Sequence, residues 1–394
     1  MPNTINKKQI YLLIATLIIW LIPLALGCIY TAHHHFLQGV SRIYYAAAWR
    51  WIHHQSLYDF QNLGWGFVYA PSSAILYIPI AILPLKISEI TWRILSIGLL
   101  VLGVYKLSKL ENAAQQFKCF FIVTLVSAWT MLTVVRDGQM HLILTGIIML
   151  GLAAIANKYF WQAAILITLS IALKPTAIVM YLLVLILYPQ VRYKLLFASL
   201  ILILLLLFTQ NFSYVIQQHH AFLYSLKASI KGGVTSTQWA QLFGAIHFYA
   251  GYLIPTNIQR AIRIIFAIIT LLICYAAKKK MSTKQTVWYI YAIGITYLML
   301  FNVRTENNNY IMLAPAIGFM LHNFLTQKKY LLSLLCVIMT LLLWFNHPLA
   351  AWITPHNNIW LKPTAALAFY LILLWRVITT PASLASATNS RQTA

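Results

Sequence analysis

Apolar runs recur along this chain from about residue 10 to residue 379, many of them close to the roughly 20 residues that carry a helix across a bilayer. No other feature restricts the fold as much, because backbone inside lipid must satisfy its polar groups within helices or a closed barrel. The runs are unbroken instead of alternating with a period of two, so a porin-like barrel is excluded. Only 8% of the 394 residues are charged, against roughly 25% in a soluble domain. An all-α, polytopic membrane protein is therefore expected, one integral-membrane domain over residues 1–394.

The run at 10–31 follows Lys7 and Lys8 and lacks a small-residue cleavage site, so it reads as a first span entering from the cytoplasm and not as a signal peptide. Further spans are expected near 90–108, 118–135, 139–156, 160–173, 175–189, 195–211, 259–277, 286–302, 309–326, 330–346 and 363–379, about twelve in all. Residues 71–84 form a run bounded by Pro71 and Pro84; those roughly 14 residues reach about 21 Å, short of a ~30 Å hydrocarbon core. That stretch reads as a re-entrant or interfacial helix within a first extracytoplasmic loop, 32–89. A second long extracytoplasmic loop covers 212–258, and 380–394 is a cytoplasmic tail.

This arrangement places 16 of the 28 Lys and Arg inside, among them every Lys cluster of a short loop, as the positive-inside rule requires. The excess of 28 basic over 5 acidic residues is scattered between spans, so it signals topology and phosphate ligands, not nucleic acid. Cys28, Cys119, Cys274 and Cys336 all lie within apolar runs without CxxC spacing, which argues against disulfides and a metal site. There is no Walker loop and no GxGxxG, and no cofactor is implied. A sugar or phosphoryl donor would have to arrive from the membrane lipids.

The expected topology gathers the polar constellations at one, extracytoplasmic, end. Arg136-Asp137-Gly138-Gln139 joins two spans through a tight turn: Gly138 can make the turn with Asp137 capping the next helix, or Gln139, which opens that helix with two hydrogen bonds to donate, can point into a cavity. Lys174-Pro175 interrupts a long apolar stretch, leaving a cation either beside free helix carbonyls or available to a phosphate. Arg304-Thr305-Glu306-Asn307-Asn308-Asn309 is the most polar short connection. Arg304 offers paired donors to phosphate, Glu306 can orient it or accept a proton, and the amides, Asn307 first, suit sugar hydroxyls. Tyr44 and Tyr45 with Trp49, Trp51 and Tyr58 read as an amphipathic helix at the interface, with rings that can stack on sugar or pack on isoprenoid.

Taken in order, Tyr44-Tyr45-Ala46-Ala47, Leu57-Tyr58-Asp59, Phe67-Val68-Tyr69-Ala70-Pro71, Leu83-Pro84, Gly138-Gln139, Leu173-Lys174-Pro175, Asn211, Arg304-Thr305-Glu306-Asn307, Tyr310 and Ala314-Pro315 resemble glycosyltransferase family 87. The resemblance runs over roughly residues 35–320. It implies a GT-C-like membrane enzyme that takes a sugar, often mannose, from a polyprenyl-phosphate donor and passes it to a lipid or glycan acceptor, in a bacterial inner membrane. Arg304, Lys174 and Arg136 would then stabilise the phosphate leaving group.

The family carries an Asp a few residues before the paired aromatic, as general base; here Gly39-Val40-Ser41-Arg42-Ile43 holds no carboxylate. Either Asp59, Glu306 or Asp137 takes that role, or the donor or acceptor differs, or the chain no longer catalyses. A lipid-linked sugar transporter would share the cations and spans, but usually brings matching broken helices in two halves. The unlike stretches 32–89 and 212–258 do not supply them.

Overall fold

The computed structural model describes residues 6–33, 39–58, 66–235, 239–353 and 359–381. Among them every regular element is helical. In chain order they are α1 (Lys7–His33), α2 (Ser41–Ile52), α3 (Pro71–Ala81), α4 (Leu85–Ser108), α5 (Gln116–Ala128), α6 (Leu132–Arg136), α7 (His141–Ala156), α8 (Phe160–Leu173) and α9 (Ile178–Leu187). There follow α10 (Pro189–Thr209), α11 (Phe212–Thr235), α12 (Leu242–Ala250), α13 (Thr256–Lys280), α14 (Thr283–Phe301), α15 (Leu313–Thr326), α16 (Tyr330–Trp344), α17 (Asn346–Ile353) and α18 (Leu361–Thr379).

Proline sets several boundaries. Pro71 opens α3 and Pro189 opens α10 at the first helical position, where the missing N–H costs nothing. Pro84 and Pro255 stand just before α4 and α13. Ser282 caps α14 by accepting from the Gln285 amide, and Asn211 Oδ1 accepts from the Tyr214 amide to start α11. The α7–α8 and α15–α16 connections each turn on a lysine with left-handed backbone, Lys158 at φ 62° and Lys328 at φ 55°.

Among the described residues six helices are long and apolar enough to cross a membrane: α1, α4, residues 116–136, α10, α13 and α18. Helices α7, α8, α9 and α16 are apolar but shorter. Helices α14 and α15 are buried on almost every side, so their surroundings are other helices and not lipid; that is why polar Thr296, His322 and Asn323 are tolerated there. The structure thus supports a polytopic all-α bundle, while twelve crossings remain a reading of the sequence. The 118–135 run breaks at a short 3-10 turn, Trp129–Met131, between α5 and α6. The 212–258 stretch is itself largely helical, as α11 and α12.

Close approach of small residues builds the bundle. A side chain on Gly146 of α7 would run into the Leu99 carbonyl of α4. One on Gly103 would meet the Gly146 oxygen at 2.7 Å. Glycine pairs of this kind let two membrane helices touch backbone to backbone. Short α3 has eight buried residues of its eleven and packs between α2, α4 and α8. The start of α11 fastens the α2 region from the other side: Gln218 Oε1 accepts from the Leu57 amide at 2.9 Å and Tyr214 Oη donates to Gln55 O at 2.6 Å.

Candidate active site

The connections that precede α3, α7, α9, α12 and α15 meet at one end of the bundle. Their floor is aromatic. On α2, Tyr44, Ala47, Ala48 and Trp51 face inward. Tyr44 Oη lies 3.0 Å from Tyr69 Oη, and its ring meets those of Tyr69, Trp92 and Tyr77 at centroid distances of 5.2, 5.7 and 5.8 Å. Tyr58 Oη donates to Tyr69 O at 2.7 Å. Tyr45, the other half of the pair, lies half-buried on the next helix face against Trp49, at the edge of this cluster.

Lys174 projects from the break between α8 and α9, where its backbone is extended at φ −145° and ψ 117°. Its Nζ stands 5.8 Å from the Tyr69 ring centre and donates to His141 Nε2 at 2.7 Å. The other ring nitrogen, Nδ1, is 2.9 Å from Gln139 Oε1. Gln139 is therefore turned inward, 6% exposed, with its carbonyl oxygen taken by the imidazole.

Arg136 Nε donates to Asp137 Oδ1 at 2.8 Å. Asp137 is so engaged with its neighbour, and its second oxygen accepts from Asn308 Nδ2 at 3.4 Å; it does not cap α7. The turn depends on Gly138, at φ 63°, where a Cβ would meet Ser41 Oγ at 2.6 Å.

The polar connection between α14 and α15 folds across this end. Arg304 donates to Ser229 Oγ of α11 at 2.7 Å and lies 4.5 Å above the Trp239 ring. Thr305 O accepts from the Ala240 amide at 2.8 Å, and Lys362 Nζ of α18 donates to Asn307 O at 2.9 Å. Glu306 is exposed, yet close enough to Tyr44, Tyr69 and Lys174 to act on each electrostatically. Arg304 acts likewise on Tyr69 and Lys174. Between α11 and α13 opens a cleft of about 710 Å³ lined by Lys227, Lys231 and Arg260 with Tyr224.

Tyr44, Gln139, Lys174, Arg304 and Glu306 thus come together. Arg136 and Asp137 join at the edge through Asn308, and Asn307 enters through its backbone. Asp59 lies outside the described residues. His141 and Lys362 escaped the sequence reading, although His141 is the sole ionisable residue in its apolar run, a signal of function inside a membrane.

A solved structure, that of ArnT from Cupriavidus metallidurans bound to undecaprenyl phosphate, aligns with a TM-score of 0.45 at 13% identity, covering 94% of this chain and 77% of that one. No curated protein matches the chain. The model of glycosyltransferase family 87 matches residues 67–301, more than half of the chain, a span that holds Gln139, His141 and Lys174 and stops short of Arg304. The chain belongs to glycosyltransferase family 87, a family of GT-C-type polyprenol-phosphate-sugar transferases.

Proposed function

We propose that this protein transfers a hexosyl unit, of the mannosyl class, from a polyprenyl-phosphate donor to a lipid or glycan acceptor at the extracytoplasmic face of a bacterial inner membrane. Family membership supports glycosyl transfer in general. The observation that carries the finer reading is the convergence of Lys174, Arg304 and Glu306 over the Tyr44–Tyr69 pair, at the end where the short α3 and the polar connections meet.

In this reading the acceptor hydroxyl loses its proton to a carboxylate and attacks the sugar's anomeric carbon, as the bond from that carbon to the phosphate oxygen breaks. Negative charge builds on the departing phosphate, where Lys174 and Arg304 meet it. Arg136 and Asn307 stand at the margin as further substrate contacts, with Tyr45 a contact for the isoprenoid. Among the described carboxylates Glu306 alone makes no hydrogen bond and no ion pair, which suits a base; Asp137, held by Arg136 and Asn308, is less free. Asp59 stays a candidate on its place in the sequence. The isoprenoid tail remains in the bilayer, and the cationic cleft between α11 and α13 offers the phosphate a way in from the side.

Purified protein incubated with polyprenyl-phosphate mannose, and with other polyprenyl-phosphate hexoses, should release polyprenyl phosphate and glycosylate a lipid acceptor. The vacant Gly39–Ile43 stretch favours one second reading, a member that binds donor without turnover. Tight donor binding with no transfer to any acceptor would establish that reading. Passage of intact donor across proteoliposomes would instead mark a transporter.

A further inference from the structure

A lysine at the C-terminal end of a helix ordinarily spends its charge on that helix's free carbonyls. Lys174 does not. The Ala172 carbonyl of α8 is taken by Ser72 Oγ at 2.9 Å, and the Ser170 carbonyl by the Lys174 amide. The ammonium reaches across to α7 instead, and its one hydrogen-bond partner among the described residues is His141 Nε2.

An ammonium has only donors, so Nε2 must present its lone pair and the imidazole proton must sit on Nδ1. That proton faces Gln139 Oε1 at 2.9 Å. Gln139 thereby fixes the tautomer, and the tautomer fixes what His141 can do. His141 is 3% exposed and cannot turn to water. Its neutral ring takes one of the three ammonium protons and so sets a direction, but it contributes no negative charge. The full charge and two N–H bonds of Lys174 are left over, beside the Tyr69 ring and facing the same space as Arg304 and Glu306. A carboxylate in place of His141 would hold the lysine equally well and would neutralise it.

Resting on the proposed phosphate role of Lys174, we infer that His141, locked by Gln139, is a positioning residue that presents the Lys174 ammonium, directed but not neutralised by its hydrogen-bond partner, to the phosphate of the lipid-linked donor. Gln139 then acts through His141 and not by touching sugar.

A double-mutant cycle tests this, with binding of a short-chain polyprenyl phosphate to the purified full-length protein as the readout. His141→Phe should weaken binding about 10- to 100-fold, the range for a hydrogen bond to a charged group. The same change should cost almost nothing further once Lys174→Ala is present, because its effect runs through that lysine. His141→Gln, whose amide oxygen can replace Nε2 as acceptor, should retain most of the affinity. Gln139→Leu, a milder change should the Phe variant not fold, should lose several-fold in the wild-type background and nothing beside Lys174→Ala. Equal losses in both backgrounds would mean that His141 serves only packing and would overturn the inference, leaving the phosphate reading intact. Unchanged binding by Lys174→Ala would remove both.

Discussion

Two basic residues, Arg93 held by α6 and Lys174 held by α7, could hardly be treated more differently. Arg93 of α4 is 3% exposed, and its guanidinium donates to the carbonyls of Glu89, Val135 and Arg136 at 2.9, 2.9 and 2.6 Å. Nearby Glu89 accepts from Ser41 Oγ at 3.2 Å, and the Trp92 indole donates to Gly138 O at 2.9 Å. Each of the three guanidinium nitrogens of Arg93 donates to a backbone carbonyl, and these bonds tie α4 to α6 beside the Gly138 turn, while Glu89 adds the start of α2. Lys174 has one partner, a neutral ring. A buried cation whose every nitrogen is bonded to the chain's own carbonyls holds structure, whereas one whose single hydrogen-bond partner is a neutral ring is set for an anion from outside.

Removing Arg93 gives the largest effect expected from this contrast. Arg93→Met would leave three carbonyls and a buried carboxylate without their cation, at about 3–5 kcal/mol. Folded, monodisperse protein on size exclusion should be mostly lost. A variant as stable as wild type would break the comparison from the structural side.

Glu306→Gln keeps shape and removes basicity, so turnover should fall by about 10²–10⁴-fold while the thermal midpoint stays where it was. Near-native turnover would move the base to Asp59 or Asp137, to be separated by Asp59→Asn and Asp137→Asn. Arg304→Ala should raise donor KM by about 10- to 100-fold. Arg304→Lys should recover part of that, since an ammonium keeps charge but not the paired guanidinium donors. Full recovery would show that charge alone matters there. The smallest effect belongs to Tyr44→Phe, which removes one hydroxyl facing Tyr69 and should cost about 0.5–1.5 kcal/mol of stability, read as a modest drop in thermal midpoint. A loss of turnover as deep as that of Glu306→Gln would place the Tyr44 hydroxyl in the chemistry itself.

Much of the architecture was legible because its signals are local. Apolar runs, the prolines at 71, 84 and 175, and the glycine needed at 138 mark where helices start and where the chain must turn. The polar constellations were legible for the same reason, since ionisable residues stand out against an apolar background. Partnerships were not. Nothing near Glu89 in the sequence points to Ser41, and a Cβ on Gly39 would lie 3.8 Å from the Glu89 carboxylate, a contact made only when α2 lies against α4. His141 was hidden by the strength of its helix: fourteen of its sixteen residues are buried, and one polar residue in such a run reads as core. The 212–258 stretch reads as loop because α11 is amphipathic and poor in long apolar runs, although Asn211 is a legible cap. Tyr44 and Tyr45 stand side by side in sequence but point to different faces of α2, as neighbours on a helix must.

The central claim is that Lys174 and Arg304, whose hydrogen-bond partners among the described residues are the neutral His141 and Ser229, keep charge and donors to hold a lipid phosphate. Its most direct test compares the affinity of purified protein for a short-chain polyprenyl phosphate and for the corresponding uncharged polyprenol. The account predicts that the phosphate binds at least about tenfold more tightly, that the preference shrinks as salt is raised, and that Lys174→Ala with Arg304→Ala abolishes it. Equal affinity for phosphate and alcohol in the wild-type protein would contradict it.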